Sequence, residues 1–133
     1  MLGVDTNVLV RYLVRDDQLQ FEKARRLIKR EADRSEPVLV SLLVLLETEW
    51  VLRSLYRFTP KQIVAALRSF IGLPCVSLQD AALATRALDW CEQGMDFADA
   101  LHLAASGHCE AFVTFDKDCA KAAGKAGLSV REP

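Results

Sequence analysis

The chain has 133 residues, 51% of them hydrophobic, which suits one compact domain spanning 1–133 and is too short for two. Its 17 basic and 18 acidic side chains leave a net charge of -1, which excludes a global positive field as the means of attracting nucleic acid. The four cysteines, Cys75, Cys91, Cys109 and Cys119, show no C-x-x-C spacing, no basic-then-apolar leader opens the sequence, and the longest apolar run, 38–46, is broken by Ser41. These features argue against a zinc site, a disulfide frame and a membrane span of about 20 residues, and lead to the expectation of a soluble cytoplasmic protein with reduced, partly buried thiols.

Residues 2–4 read as a short apolar strand that stops at Asp5 and runs through Thr6 and Asn7 into a second apolar stretch. Asp17 with Gln20 marks a helix start, and Lys23, Arg25, Arg26, Lys29 and Arg30 form the wet face of that helix. Residues 38–40 read as a strand feeding a helix that begins near Ser41, which places Glu47 about two turns in. Thr59-Pro60 with Gln62 opens another helix, 75–77 reads as a strand, and Ser77 with Asp80 reads as a further cap. Asp96 caps a helix carrying Asp99 in its first turn, 111–114 reads as a strand followed by Asp116, and 128–130 reads as the last strand. Gly94, Gly107 and Gly127 fall where helices should stop. Short apolar segments alternating with helical ones predict an α/β sandwich around a mostly parallel sheet, with no internal repeat or linker.

Ligands of open parallel sheets sit beyond the carboxyl ends of the strands, where Asp5 and Asp116 are expected to project. Asp5 is also ordinary turn chemistry, and Asp116 also suits a cap of the final helix, with Asp118 the solvated neighbour. On the helix after Ser41, Glu49 pairs with Arg53 at i+4 as a solvent-side ion pair, whereas Glu47 is flanked by Leu43, Val44, Trp50 and Val51 and needs a partner on an apolar face. Asp96 reads as a cap and Asp99, one turn before His102, as a ligand; His102 is given no catalytic role because it lacks a second His or a Cys at ligand spacing. Trp50, Trp90 and the phenylalanines at helical spacings read as core.

At an effective dielectric of 20, two carboxylates about 4 Å apart repel by about 4 kcal/mol, so a cluster of acids calls for a cation. An all-oxygen donor set suits Mg²⁺ or Mn²⁺, ions that bind phosphate oxygens and retain waters, and makes a phosphodiester the natural substrate. Asp5 and Asp99 are the expected principal metal ligands, with Glu47 and Asp116 holding water or a second ion and helping to deprotonate the attacking water. Arg11, Arg15, Arg53, Arg57 and Lys117 are the candidate phosphate contacts, each equally readable as a solubilising charge.

The segments Asp5-Thr6-Asn7-Val8-Leu9-Val10, Leu45-Leu46-Glu47-Thr48-Glu49-Trp50-Val51-Leu52, Asp96-Phe97-Ala98-Asp99-Ala100-Leu101-His102-Leu103-Ala104 and Val113-Thr114-Phe115-Asp116, in this order, resemble the PIN-domain family over essentially the whole chain. The nearest branch looks like the VapC toxins of bacterial toxin-antitoxin pairs. The resemblance implies a three-layer α/β/α sandwich, magnesium-dependent endoribonuclease activity, a homodimer and a VapB-like antitoxin partner. It carries the family's acidic quartet onto Asp5, Glu47, Asp99 and Asp116, with Asp96 an accessory acid and Thr6 and Thr114 polar neighbours of the metal. The fourth position is the least uniform in the family, which leaves Asp118 as the alternative to Asp116.

Two other classes compete. A receiver-like signalling domain also gathers acids and magnesium at strand ends, but it expects adjacent acids after the first strand and a lysine after the last, where this chain has Thr6-Asn7 and Arg131-Glu132-Pro133. A non-catalytic binding module would keep the acids to dock a partner's arginine, and loss of metal dependence in an activity assay would favour it.

Overall fold

Asp5 ends the first strand by turning its side chain onto the helix that follows. Its backbone is extended and its Oδ1 accepts from the Val8 amide at 3.1 Å, so β1 (Leu2–Gly3) passes through a capped start into α1 (Thr6–Val14). The computed structural model describes all 133 residues, as two compact units, Met1–Ala81 and Ala82–Pro133.

In the first unit, α2 (Gln18–Asp33) is followed by β2 (Val38–Val40), α3 (Leu42–Ser54), α4 (Pro60–Ile71) and β3 (Val76–Leu78). The strands pair in parallel in the order β1-β2-β3, with Leu2 opposite Val38 and Val38 opposite Val76, so β2 is central. Val38 and Val40, on one face of β2, are fully buried, and Leu39 on the other face is half-buried. Tyr12 of α1 meets Phe21 of α2 at 5.9 Å and the edge of Phe70 of α4 at 5.2 Å, which ties three helices together through one aromatic cluster. Leu9, Leu45, Leu52, Ile63 and Leu67 complete this core, each burial worth roughly 1.5–3 kcal/mol.

The second unit contains most of α5 (Ala81–Glu92), then α6 (Phe97–Ala105), β4 (Phe112–Val113), α7 (Lys117–Lys125) and β5 (Val130–Arg131). β4 and β5 pair in parallel, Phe112 opposite Val130 and Val113 opposite Arg131. Gly94 and Gly127 adopt φ of 108° and 78°, left-handed conformations that stop α5 and α7 without a Cβ clash. The α/β class and the mostly parallel pairing expected from the sequence are thus present, every pair here being parallel, and all five strands lie within a residue or two of their expected places, but they pair as a three-stranded and a two-stranded sheet rather than as one.

Four local expectations need correction. Ser77 is not a cap: it pairs inside β3, and α5 starts after Asp80, which has φ of 55°. Asp17 does cap α2 through the Gln20 amide, but the Gln20 side chain does not reciprocate, because its Oε1 accepts from Arg11 Nε at 2.6 Å. Thr59 and Gln62 do form the reciprocal box at the start of α4. Trp50 is not core but 53% exposed, and Phe115 is 76% exposed, whereas Trp90 is buried as expected. On α3, finally, Glu49 is buried and Glu47 is the exposed acid.

That last reversal has a clear origin. α3 is apolar nearly all round, so its pattern alone does not say which stripe faces inward. It packs on α1 and α4 through Leu45, Thr48, Glu49 and Leu52, the i, i+3, i+4, i+7 set. Glu47 then shares the exposed face with Leu43 and Trp50.

Candidate functional site

Three of the candidate acids are helix caps. Asp5 caps α1, Asp96 caps α6 by accepting from the Asp99 amide at 3.0 Å, and Asp116 caps α7 by accepting from the Asp118 and Cys119 amides at 2.9 and 3.0 Å. In each case the cap uses Oδ1, and a carboxylate has two oxygens with about four acceptor positions. Capping therefore fixes the rotamer and leaves Oδ2 outside the cap, so the structural role does not exclude a ligand role. Thr114 Oγ1 accepts from the Asp116 amide at 3.0 Å, which pins the turn that presents Asp116.

Asp99 is the acid with a distinctive environment. It stands in the first turn of α6, half-buried, and its proton affinity is raised above the ordinary carboxylate range, first by burial, then by the charges of Asp96 and Asp116. His102 and a hydrogen bond with Cys119 act in the opposite sense. The Cys119 thiol, on the buried face of α7, is in turn pushed up by burial and by the charges of Asp99, Asp116 and Asp96. Sequence reasoning passed over Cys119; its only signal there was its place three residues after Asp116, the position whose amide the cap takes up. His102 is exposed and stacks on Phe112 at 6.4 Å, consistent with a packing role.

The second unit thus brings Asp96, Asp99 and Asp116 within electrostatic reach of one another, and the charge that acts on Asp99 belongs to Asp116 rather than Asp118. Asp5 and Glu47 belong to the first unit. No group of three or more His, Cys, Asp or Glu side chains is already drawn tightly enough to hold a metal ion. The donor chemistry nonetheless fits a hard divalent cation: the atoms are carboxylate oxygens, and Asp99 carries the mutual repulsion that such a cation relieves.

The basic candidates differ among themselves. Arg11 is held by Gln20, Asp16 and the Tyr56 hydroxyl, and the Tyr56 bond is the main reason its guanidinium keeps its proton more tightly than usual. Arg15 caps the end of α1 with φ of 61° and lies over the Phe21 ring at 4.6 Å. Arg53 forks onto Glu49, with Nε 3.0 Å from Oε2 and Nη2 3.2 Å from Oε1. Arg57 and Lys117 are exposed.

Parallel strands whose carboxyl ends lead into carboxylate-capped helices define a class of α/β proteins that gather acids where such sheets bind ligands. Within that class the chain belongs to the PIN-domain family, whose model, described as PIN domain, matches residues 3–125. Comparison with curated proteins gives no match. Family membership establishes the three-layer α/β/α PIN-like fold class and places the chain among domains that are in general metal-dependent nucleases. No helix is long and apolar enough to cross a membrane.

Proposed function

We propose that the protein is a Mg²⁺-dependent endoribonuclease acting as the toxin of a toxin-antitoxin pair, with residues 1–133 working as one PIN-like domain. Beyond the family match, the observation that carries this reading is Asp99, a half-buried carboxylate loaded by the charges of Asp96 and Asp116. In this reading Asp5, Glu47, Asp99 and Asp116 hold Mg²⁺ or Mn²⁺, with Asp96, Thr6 and Thr114 as polar neighbours. When bound, the ion supplies Lewis acidity toward the phosphodiester and the attacking water.

The chain's own groups do the rest. Caps at Asp5 and Asp116 hold two carboxylates in fixed rotamers, which reduces the ordering cost of binding. Glu47, exposed and outside any cap, is free to accept a proton from water. Asp116 rather than Asp118 serves as the fourth acid, because its charge is the one that reaches Asp99. Arg15, Arg57 and Lys117 contact substrate phosphates, while Arg11 and Arg53 contribute mainly through the networks that already hold them. The exposed face of Leu43 and Trp50 on α3 suits a protein partner, either the second copy of a homodimer or a VapB-like antitoxin. The protein acts in the cytoplasm.

The test is cleavage of total cellular RNA by purified protein with Mg²⁺ or Mn²⁺, against EDTA and the Asp99→Asn variant. Discrete fragments that vanish in both controls are the expected result. Fragments that persist in EDTA, or an Asp99→Asn protein as active as wild type, would remove the basis of the reading.

A further inference from the structure

Lys117, Lys121 and Lys125 recur every fourth residue along α7, all exposed, and none is taken up in an ion pair. At 1.5 Å rise per residue, the three span about 12 Å in steps of about 6 Å and share an arc of about 80° on the helix surface. Steps of this size are comparable with the interval between successive phosphates of an extended polynucleotide strand. The row starts at Asp116, the cap of the same helix.

Beside the row lies a groove of about 260 Å³, formed within the second unit between the end of α5 and α7. Lys121 and Lys125 line it, and Trp90, Met95, Ala122 and Ala126 give it apolar surface. Arg86 sits over the Trp90 ring at 4.8 Å, adding a cation beside the groove. Asp118 is its single carboxylate, so two lysines stand against one acid in its lining.

We infer that the α7 lysine row and its groove form a track for the single-stranded RNA that flanks the scissile phosphate. The inference rests on the endoribonuclease reading for the identity of the strand. Charge complementarity favours a polyanion, and the apolar surface beside the lysines suits unstacked bases, which a duplex does not offer. Lys121 and Lys125 hold phosphates outside the chemistry and therefore set how the strand is registered over Asp116.

The test is fluorescence anisotropy of a labelled single-stranded RNA in EDTA, so that binding is read without cleavage, across a series of salt concentrations. Compared are wild type, the Lys121→Ala/Lys125→Ala double variant, the Lys121→Arg/Lys125→Arg variant, and Lys61→Ala, an exposed lysine of α4 outside the row, as a charge control. Loss of two phosphate contacts lowers the slope of log affinity against log salt by about 1.4, at about 0.7 per phosphate on a single strand. The arginine variant and Lys61→Ala are expected to keep the wild-type slope. An alanine double variant with the wild-type slope overturns the track, as does an equal slope change with a duplex of the same sequence. Cleavage measured in parallel separates the two readings. RNA cut by wild type with no lysine dependence of binding sinks the track alone; lysine-dependent binding without cleavage sinks the nuclease assignment alone; neither binding nor cleavage sinks both.

Discussion

Arg53→Ala tests which face of α3 is structural. The Glu49 side chain is 6% exposed and its two oxygens are met by the Arg53 fork at 3.0 and 3.2 Å, whereas the Arg53 side chain is 47% exposed. Breaking a fully buried pair by removing one partner costs roughly 3–5 kcal/mol, because the remaining charge is stranded. Arg53 faces water on about half its surface, so screening and rehydration of Glu49 reduce this to about 2 kcal/mol. Urea denaturation followed by circular dichroism reads this as a midpoint lowered by about 1 M, for an m-value of about 2 kcal/mol/M. Replacing both residues, as Glu49→Met/Arg53→Met, is expected to recover most of the loss, since no buried charge remains. A single variant within about 0.5 kcal/mol of wild type, the range of ordinary surface substitutions, would show that Glu49 is not buried against Arg53 and that the expectation of a solvent-side pair was right after all.

Asp99→Asn should stabilise the metal-free protein at neutral pH while abolishing cleavage. The folded-state proton affinity of Asp99 is raised, so its contribution to stability is fully present below the unfolded carboxylate value and is lost as pH rises through the higher folded value. Thermal melts in EDTA are therefore expected to show the Asn variant gaining on wild type across and above that acidic window; a gap that does not change with pH would refute the raised proton affinity that burial and the neighbouring acids give Asp99. Thr48→Val removes a hydroxyl that is fully buried with no hydrogen-bond partner and keeps the side chain's shape, so the variant should be more stable by about 1 kcal/mol in the same denaturation assay. A loss of stability there would mean that Thr48 Oγ1 is satisfied by a bound water.

The parts of the fold that were legible in the sequence are those whose signals are local. Asp17, Ser41, Thr59, Asp96 and Asp116 were readable as helix starts because a short oxygen-bearing side chain at the head of a helical segment satisfies a nearby helix amide. Strand positions were readable because each is a short apolar segment between turn residues. What failed depended on which neighbour a side chain meets. The Gln20 side chain went to Arg11 rather than back to its own cap, and α3, apolar on every side, chose the stripe of Leu45, Thr48, Glu49 and Leu52. The local cue that separated Glu49 from Glu47, Arg53 at i+4, gave the right partner but not the right face, since a half-exposed arginine can reach in to a buried carboxylate. Cys119 behind Asp99 was likewise invisible, because the contact joins α6 to α7 across an intervening strand.

That the candidate acids are mostly caps has an energetic consequence for the proposed site. Asp5, Asp96, Asp99 and Asp116 lie at the starts of three helices, where the aligned peptide dipoles favour negative charge by roughly 0.3–1 kcal/mol each. Carboxylates brought to about 4 Å oppose each other by about 4 kcal/mol at an effective dielectric of 20, several times that gain. Helix termini can therefore hold such acids ionised at the distances of a loose arrangement, but not at those of a closed ligand set. Asp99 shows the limit already, its charge disfavoured by burial and two neighbours despite its place in a first turn. In the nuclease reading a divalent cation supplies the remaining compensation. A marked rise in melting temperature on adding Mg²⁺ is the outcome expected of that compensation.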